Sequence, residues 1–164
     1  MNAVVHEAIN RQINAELTAS YSYLQMSAFC ARQAFNGCAH WLRLQSQEEY
    51  GHAMKLYDFL IARDGIVELG AMPAPKQSYD TIAAVFEAAL TQEQEVSRQI
   101  DSLYELAFRE KAFAATVELQ WFLTEQVEEE KSAREIVAKF RLVGNDPSSL
   151  LDLDRELGAR AGEE

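Results

Sequence analysis

Six residues of this chain stand where an amphipathic helix should carry apolar side chains: Glu16, Glu49 with His52, Glu93, and Gln126 with Glu129. At about 100° of rotation per residue, Glu16 falls among Val5, Ile9 and Ile13, and Glu49 points with Leu56 and Leu60. Glu93 shares its direction with Ile82, Phe86 and Ile100; Gln126 and Glu129 share theirs with Leu119, Phe122, Ala133 and Phe140. A carboxylate buried alone costs several kcal/mol and usually takes up a proton. Several converging on one core require cations.

Glu49 and His52 are three residues apart, so one helix face presents an oxygen and an imidazole nitrogen together. Carboxylates with one imidazole and no thiolate suit iron or manganese. Two metals fit better than one, because several carboxylates around a single divalent ion leave excess negative charge. On this reading one ion takes Glu16, Glu49 and His52, and the other takes Glu49, Glu93 and Glu129, with Glu49 bridging and the neutral Gln126 beside the second. Tyr23 lies two helical turns beyond Glu16 on the same face, where its hydroxyl can bond a ligand carboxylate, supply an electron, or simply be satisfied in the core. Glu125 and Glu128 point to the edge of the fourth core arc, and Glu48 adjoins Glu49. They read either as a further ion position or as a solvated acidic face. Trp121 reads as packing or as an indole that a nearby redox centre can oxidise, and His6 and His40 as structural or exposed.

The elements that must hold these groups are helices. Periodicity runs from about Val4 to Gln33, breaks at Phe35-Asn36-Gly37 with turn chemistry, and resumes to about Arg63, where Asp64-Gly65 is a stop with Gly65 suited to the left-handed cap. Gly65 to Ser78 contains two prolines and no helical repeat, so it is extended. A third helix, capped by Ser78 or Asp80, runs to about Glu110, and a fourth from Ala112 or Phe113 to about Leu142. After Gly144-Asn145-Asp146-Pro147 comes a short fifth helix at about 147–157, with Pro147 in its first turn, then a frayed tail from Gly158 to Glu164. Helices of this length measure about 40 Å. Short links after the first and third make antiparallel hairpins, and the long middle segment can travel the length of the bundle. The fold class is all-α: a four-helix bundle (about 4–142) with one long crossover, and 1–164 as one domain.

Composition excludes several roles. With 48% hydrophobic residues, seven glycines and three prolines in 164, the chain reads as globular, helical and large enough for one core. A net charge of −11 with only 15 Lys and Arg argues against nucleic acid, whose affinity comes mainly from clustered basic residues. No run of 18 apolar residues exists, so no membrane span is expected. The N-terminus has neither a basic region nor an apolar signal core, which points to the cytoplasm. Cys30 and Cys38 form neither a disulfide framework nor a Cys-x-x-Cys knuckle, and read as free thiols.

The segments Asn14-Ala15-Glu16-Leu17 through Tyr23, Gln47 to Ala53, and Gln120 to Lys131 resemble the ferroxidase motifs of bacterial non-haem ferritins. The resemblance spans nearly the whole chain. It implies a ferritin-like bundle with a short fifth helix, acting in iron storage and detoxification. In such proteins Fe(II) is oxidised by O₂ or H₂O₂ at an intrasubunit di-iron ferroxidase centre, and ferric mineral is kept in a homo-oligomeric cage of twenty-four subunits. By position, Glu16, Glu49 and His52 match the first iron site, Glu93 and Glu129 the second, Gln126 the glutamine beside it, and Tyr23 the nearby tyrosine. Glu48, Glu125, Glu128 and Glu129 match the third iron site of bacterial ferritins. Haem is not expected, since Tyr50 stands where haem-binding relatives have methionine and Gln126-Val127-Glu128-Glu129 replaces their second Glu-x-x-His. Two other readings of the inward acids are a soluble di-iron or manganese-iron oxidase acting on an organic substrate, and a metal-free structural bundle.

Overall fold

A computed structural model describes residues 2–162. Five helices follow in order: α1 (Ala3–Arg32), α2 (Asn36–Ala62), α3 (Ile82–Arg109), α4 (Phe113–Val143) and α5 (Pro147–Gly158). Asn2 caps α1, its side chain accepting from the Val4 and Val5 amides, and Asp146 caps α5 by accepting from Ser149. The α1–α2 hairpin is antiparallel, for Ser20 Oγ donates to the Ser46 carbonyl and Ser27 Oγ to that of Ala39, both at 2.7 Å. The second hairpin pairs α3 with α4, while α5 lies against α2 and touches α4.

Three local expectations are corrected. Thr81, not Ser78 or Asp80, caps α3, its Oγ1 accepting from the Ala84 amide at 3.0 Å. The left-handed residue after α2 is Asp64 (φ 54°), not Gly65. Gly65 sits at close approach instead: a Cβ there would be tight, 3.0 Å from the Leu60 carbonyl oxygen and 3.1 Å from the His6 ring. The turn between α1 and α2 closes on Ala34, at φ 64°, so Asn36 and Gly37 already belong to α2. At Gly37 a Cβ would lie 1.7 Å from the Asp154 carbonyl oxygen, so the missing side chain is what lets α5 dock.

The crossover runs beside α1 along a polar stripe at four-residue spacing. His6 Nε2 accepts from the Ile66 amide at 3.0 Å. Asn10 donates to the Ile66 carbonyl and accepts from the Glu68 amide, both at 2.9 Å, and Asn14 pairs in the same way with Ala71 and Gly70, both at 3.2 Å. Backbone with no helix or sheet partners finds them on these side chains. The segment therefore travels from the α1 N-terminus towards its C-terminus, where Tyr79 meets Phe29 edge-on, and delivers α3 to the far end of the bundle. Asn10→Ala leaves a carbonyl and an amide unpaired together. We expect a loss of about 2 kcal/mol, measured by urea denaturation.

Two apolar clusters fill the bundle. One, near the α1 C-terminus, gathers Met26, Phe29, Trp41, Phe86, Phe140, Leu153 and Leu157. The other gathers Val5, Ile9, Ile13, Leu56, Leu60, Ile100, Leu119 and Phe122. A polar layer, buried almost completely, separates them at mid-height: Glu16, Gln45, Glu49, His52, Glu93, Gln126 and Glu129.

Candidate metal centre

All four long helices contribute to this layer from their interiors, where the backbone is fixed by its own hydrogen bonds. Glu16, Glu49 and His52 each bring one ligand atom within 4.8 Å of the others, and so do Glu49, Glu93 and Glu129. Glu49 is common to both groups. The inward pointing of the six residues is therefore as the helical period predicts, and they meet in one place.

The carboxyl groups are short of hydrogen-bond donors. Glu16 Oε2 and both oxygens of Glu49 are buried without a hydrogen-bond partner, and His52 Nδ1 stands 3.3 Å from Glu49 Oε2. Burial pushes the Glu49 carboxyl well above its ordinary range, and the neighbouring charges of Glu93 and Glu16 push it further. Glu93 is raised by burial against the opposing effect of hydrogen bonds from Tyr23 and Gln126. Glu129 is pushed up to about 9, first by burial and then by Glu93 and Glu48. Buried oxygens without donors, in a set of carboxylates around one imidazole, form a donor set that a hard or borderline divalent cation completes.

The remaining oxygens are held by amides and a phenol. Gln12 Nε2 donates to Glu16 Oε1 at 2.8 Å, and Gln45 Nε2 donates to Glu129 Oε2. Tyr23 is fully buried and its hydroxyl donates to Glu93 Oε1. Gln126 Nε2 lies 3.2 Å from Glu93 Oε2, from the Glu93 carbonyl and from Ser97 Oγ. Outer partners of this kind orient the carboxylates that a metal would meet. Gln12 and Gln45 escaped the reading of the sequence, although each precedes an inward glutamate by four residues and so falls in the same arc. Trp121 packs edge-on against His52 at 5.3 Å and carries Lys55 Nζ over its ring at 4.9 Å. His40 Nε2 lies 2.9 Å from the Arg160 carbonyl oxygen, while the free thiols Cys30 and Cys38 are both buried.

A third group lies at the α2–α4 edge, where Glu48, His52, Glu125 and Glu129 have ligand atoms within 4.8 Å of one another. Three of the four acids matched to an outer ion position thus come together, and His52 joins them. Glu128 stays outside this group: one residue before Glu129, it is turned by about 100°, mostly exposed, with Lys131 Nζ at 4.0 Å. The tail expected to fray is docked here as far as Gly162. Arg160 reaches Glu48 at 2.7 Å and Gln45 at 2.8 Å; Glu163 and Glu164 lie outside the described residues.

An all-α bundle with one long crossover, enclosing a layer of carboxylates and one imidazole, is the architecture in which helical bundles build metal sites. Residues 6–143 match the ferritin family's ferritin-like domain, and the chain belongs to that family. It is 37% identical to a bacterial non-haem ferritin of Staphylococcus aureus over 158 residues, 96% of this chain and 95% of the relative. A bacterial non-haem ferritin of Staphylococcus haemolyticus is 36% identical with the same coverage. Among solved structures, an open-pore ferritin from the hyperthermophilic archaeon Archaeoglobus fulgidus superposes with a TM-score of 0.97 at 44% identity, covering 98% of this chain and 99% of that one. As a ferritin, the protein stores iron and has ferroxidase activity; neither the organic-substrate oxidase nor the metal-free bundle is favoured.

Proposed function

We propose that each subunit oxidises Fe(II) at two positions joined by Glu49, with Glu16 and His52 completing the first and Glu93 and Glu129 the second. Gln126 and Tyr23 tune the second position through Glu93. The observation that carries this reading is the Glu49 carboxylate: both oxygens are buried and unbonded, at the junction of two ligand groups. Each Fe(II) gives up one electron. A pair of them with O₂ and two protons yields H₂O₂, and a second pair with that H₂O₂ and two protons yields two waters. The carboxylates offset the charge gained by the iron, and the helix interiors hold the separation fixed, so little reorganisation accompanies oxidation. Glu48, Glu125 and Glu129, with Glu128 at the rim, would carry a third ion on its way from the pair.

The whole chain, 1–164, would act as one ferritin-like unit in a twenty-four-subunit cage that keeps the ferric product as mineral, in the cytoplasm. Tyr21, Leu24, Ile66, Leu69 and Met72 expose large apolar side chains, which favours burial against further copies. Among the described residues, no helix is long and apolar enough to cross a membrane.

The test adds Fe(II) anaerobically, admits O₂, and follows iron and protein together through size exclusion. A shell retaining hundreds of irons is expected, in the order of magnitude that only a hollow assembly allows. A small oligomer holding two irons per chain would overturn the storage reading, and absence of uptake would overturn the metal centre.

A further inference from the structure

Arg160 shares with Glu48 and Glu125 the lining of both clefts that lead to the outer acidic group, and among the described residues it is the basic one common to the two. The larger, about 610 Å³, is bordered by Glu48, His52, Lys55, Trp121 and Glu125. The smaller, about 190 Å³, is bordered by Gln45, Glu48, Glu125, Glu128 and Glu129. The guanidinium is held by several contacts at once. Nη2 donates to Glu48 Oε2 at 2.7 Å, Nη1 donates to Gln45 Oε1 at 2.8 Å and to the Trp41 carbonyl at 3.5 Å, and the plane lies 4.8 Å from the Trp41 ring centroid. A planar fork satisfies two side chains and stacks on a third in a way an ammonium cannot. The amide of Gln45 is oriented by it: with Oε1 facing Arg160, Nε2 faces Glu129 Oε2.

We propose that Arg160 is a resident counter-cation of the outer group, which a third metal ion must displace from Glu48. With Arg160 docked, Glu48 and Glu129 each have one oxygen engaged by a donor, and a full positive charge already sits beside the acids. A divalent ion entering there meets repulsion at short range in a partly desolvated cleft, where charges interact several times more strongly than in water. The outer position is therefore weaker than its carboxylates alone would make it. It passes an ion on and does not retain it. Glu48 is 15% exposed and Arg160 27%, so the pair is sheltered enough to hold and open enough to part.

This inference rests on the proposed di-iron reading, and its test separates the two. Zn(II), which undergoes no redox chemistry, is titrated calorimetrically into the iron-free shells of the parent protein, Arg160→Gln and Arg160→Lys, after circular dichroism and size exclusion establish folding and assembly. The two inner equivalents serve as the internal reference. Arg160→Gln is expected to tighten the outer equivalent by about tenfold or more. Arg160→Lys keeps the charge but loses the fork, and is expected to tighten it by about threefold. Outer affinity unchanged within twofold, or weakened, in Arg160→Gln overturns the proposal while leaving the inner pair intact. Loss of the inner equivalents in the parent protein overturns both readings. Should Arg160→Gln fail to assemble, an unchanged outer affinity in Arg160→Lys overturns it equally.

Discussion

Glu49→Gln is expected to slow the fast phase of Fe(II) oxidation by about a hundredfold or more while making the iron-free protein more stable. Both effects come from one carboxylate. Its two oxygens are each buried and unbonded and the residue belongs to both inner ligand groups, so an amide in its place can neither bridge two cations nor offset their charge. Without cations the same oxygens are a liability, since a buried acceptor with no donor carries its full desolvation cost. Burial and the charges of Glu93 and Glu16 force that carboxyl to take up a proton on folding, a cost that the neutral isosteric amide does not carry while keeping the volume. Stopped-flow absorbance reads the first effect and thermal unfolding of the apo-protein the second, where each kcal/mol gained raises Tm by about 2–4 °C in a chain of this size. Fast kinetics equal to the parent protein would remove Glu49 from the centre. A slowed variant that is also less stable would mean that Glu49 serves the fold and not the chemistry.

The stability of the iron-free protein should fall as pH rises from about 5 to 9, and divalent cations should cancel that fall. The sign follows from the direction of the shifts. Glu49, Glu93 and Glu129 all have raised carboxyl pKa values, chiefly through burial. A group raised in the folded state holds its proton more tightly there than in the unfolded chain, so its stabilising effect is complete below the unfolded value and is lost as pH climbs to the folded one. For Glu129 that window runs from 4.5 to about 9. Each retained proton contributes a slope of up to about 1.4 kcal/mol per pH unit. Metal binding displaces these protons, so the gain in Tm on adding Zn(II) should be larger at pH 8 than at pH 6. A Tm that is flat or rising over that range in the apo-protein would show that the layer is not protonated without metal.

The helices themselves and the six inward residues could be read from the order of side chains, because both follow from one period. A residue's direction on a helix depends only on its index, and Glu16, Glu49, His52, Glu93, Gln126 and Glu129 fall on apolar arcs whatever the helices pack against. The long crossover was equally legible, since Pro73, Pro75 and the lack of a repeat forbid a helix there. Other features depend on what lies across a gap. Gly37 carries turn chemistry in sequence, yet its role is to admit the Asp154 carbonyl of α5. His6, Asn10 and Asn14 look like ordinary polar positions until the crossover is laid beside them.

What the sequence determined alone was therefore the set of inward acids and the helices that carry them. Tertiary structure decided how the outer acids are partnered: that His52 joins the outer group in place of Glu128, and that the tail lays Arg160 on Glu48. The physical reason is the range of the interactions. Helical periodicity is set by neighbours within four residues, whereas which oxygen meets which cation or amide is set by packing between distant segments, as for Arg160 and Glu48, 112 residues apart. No local rule reaches across that separation.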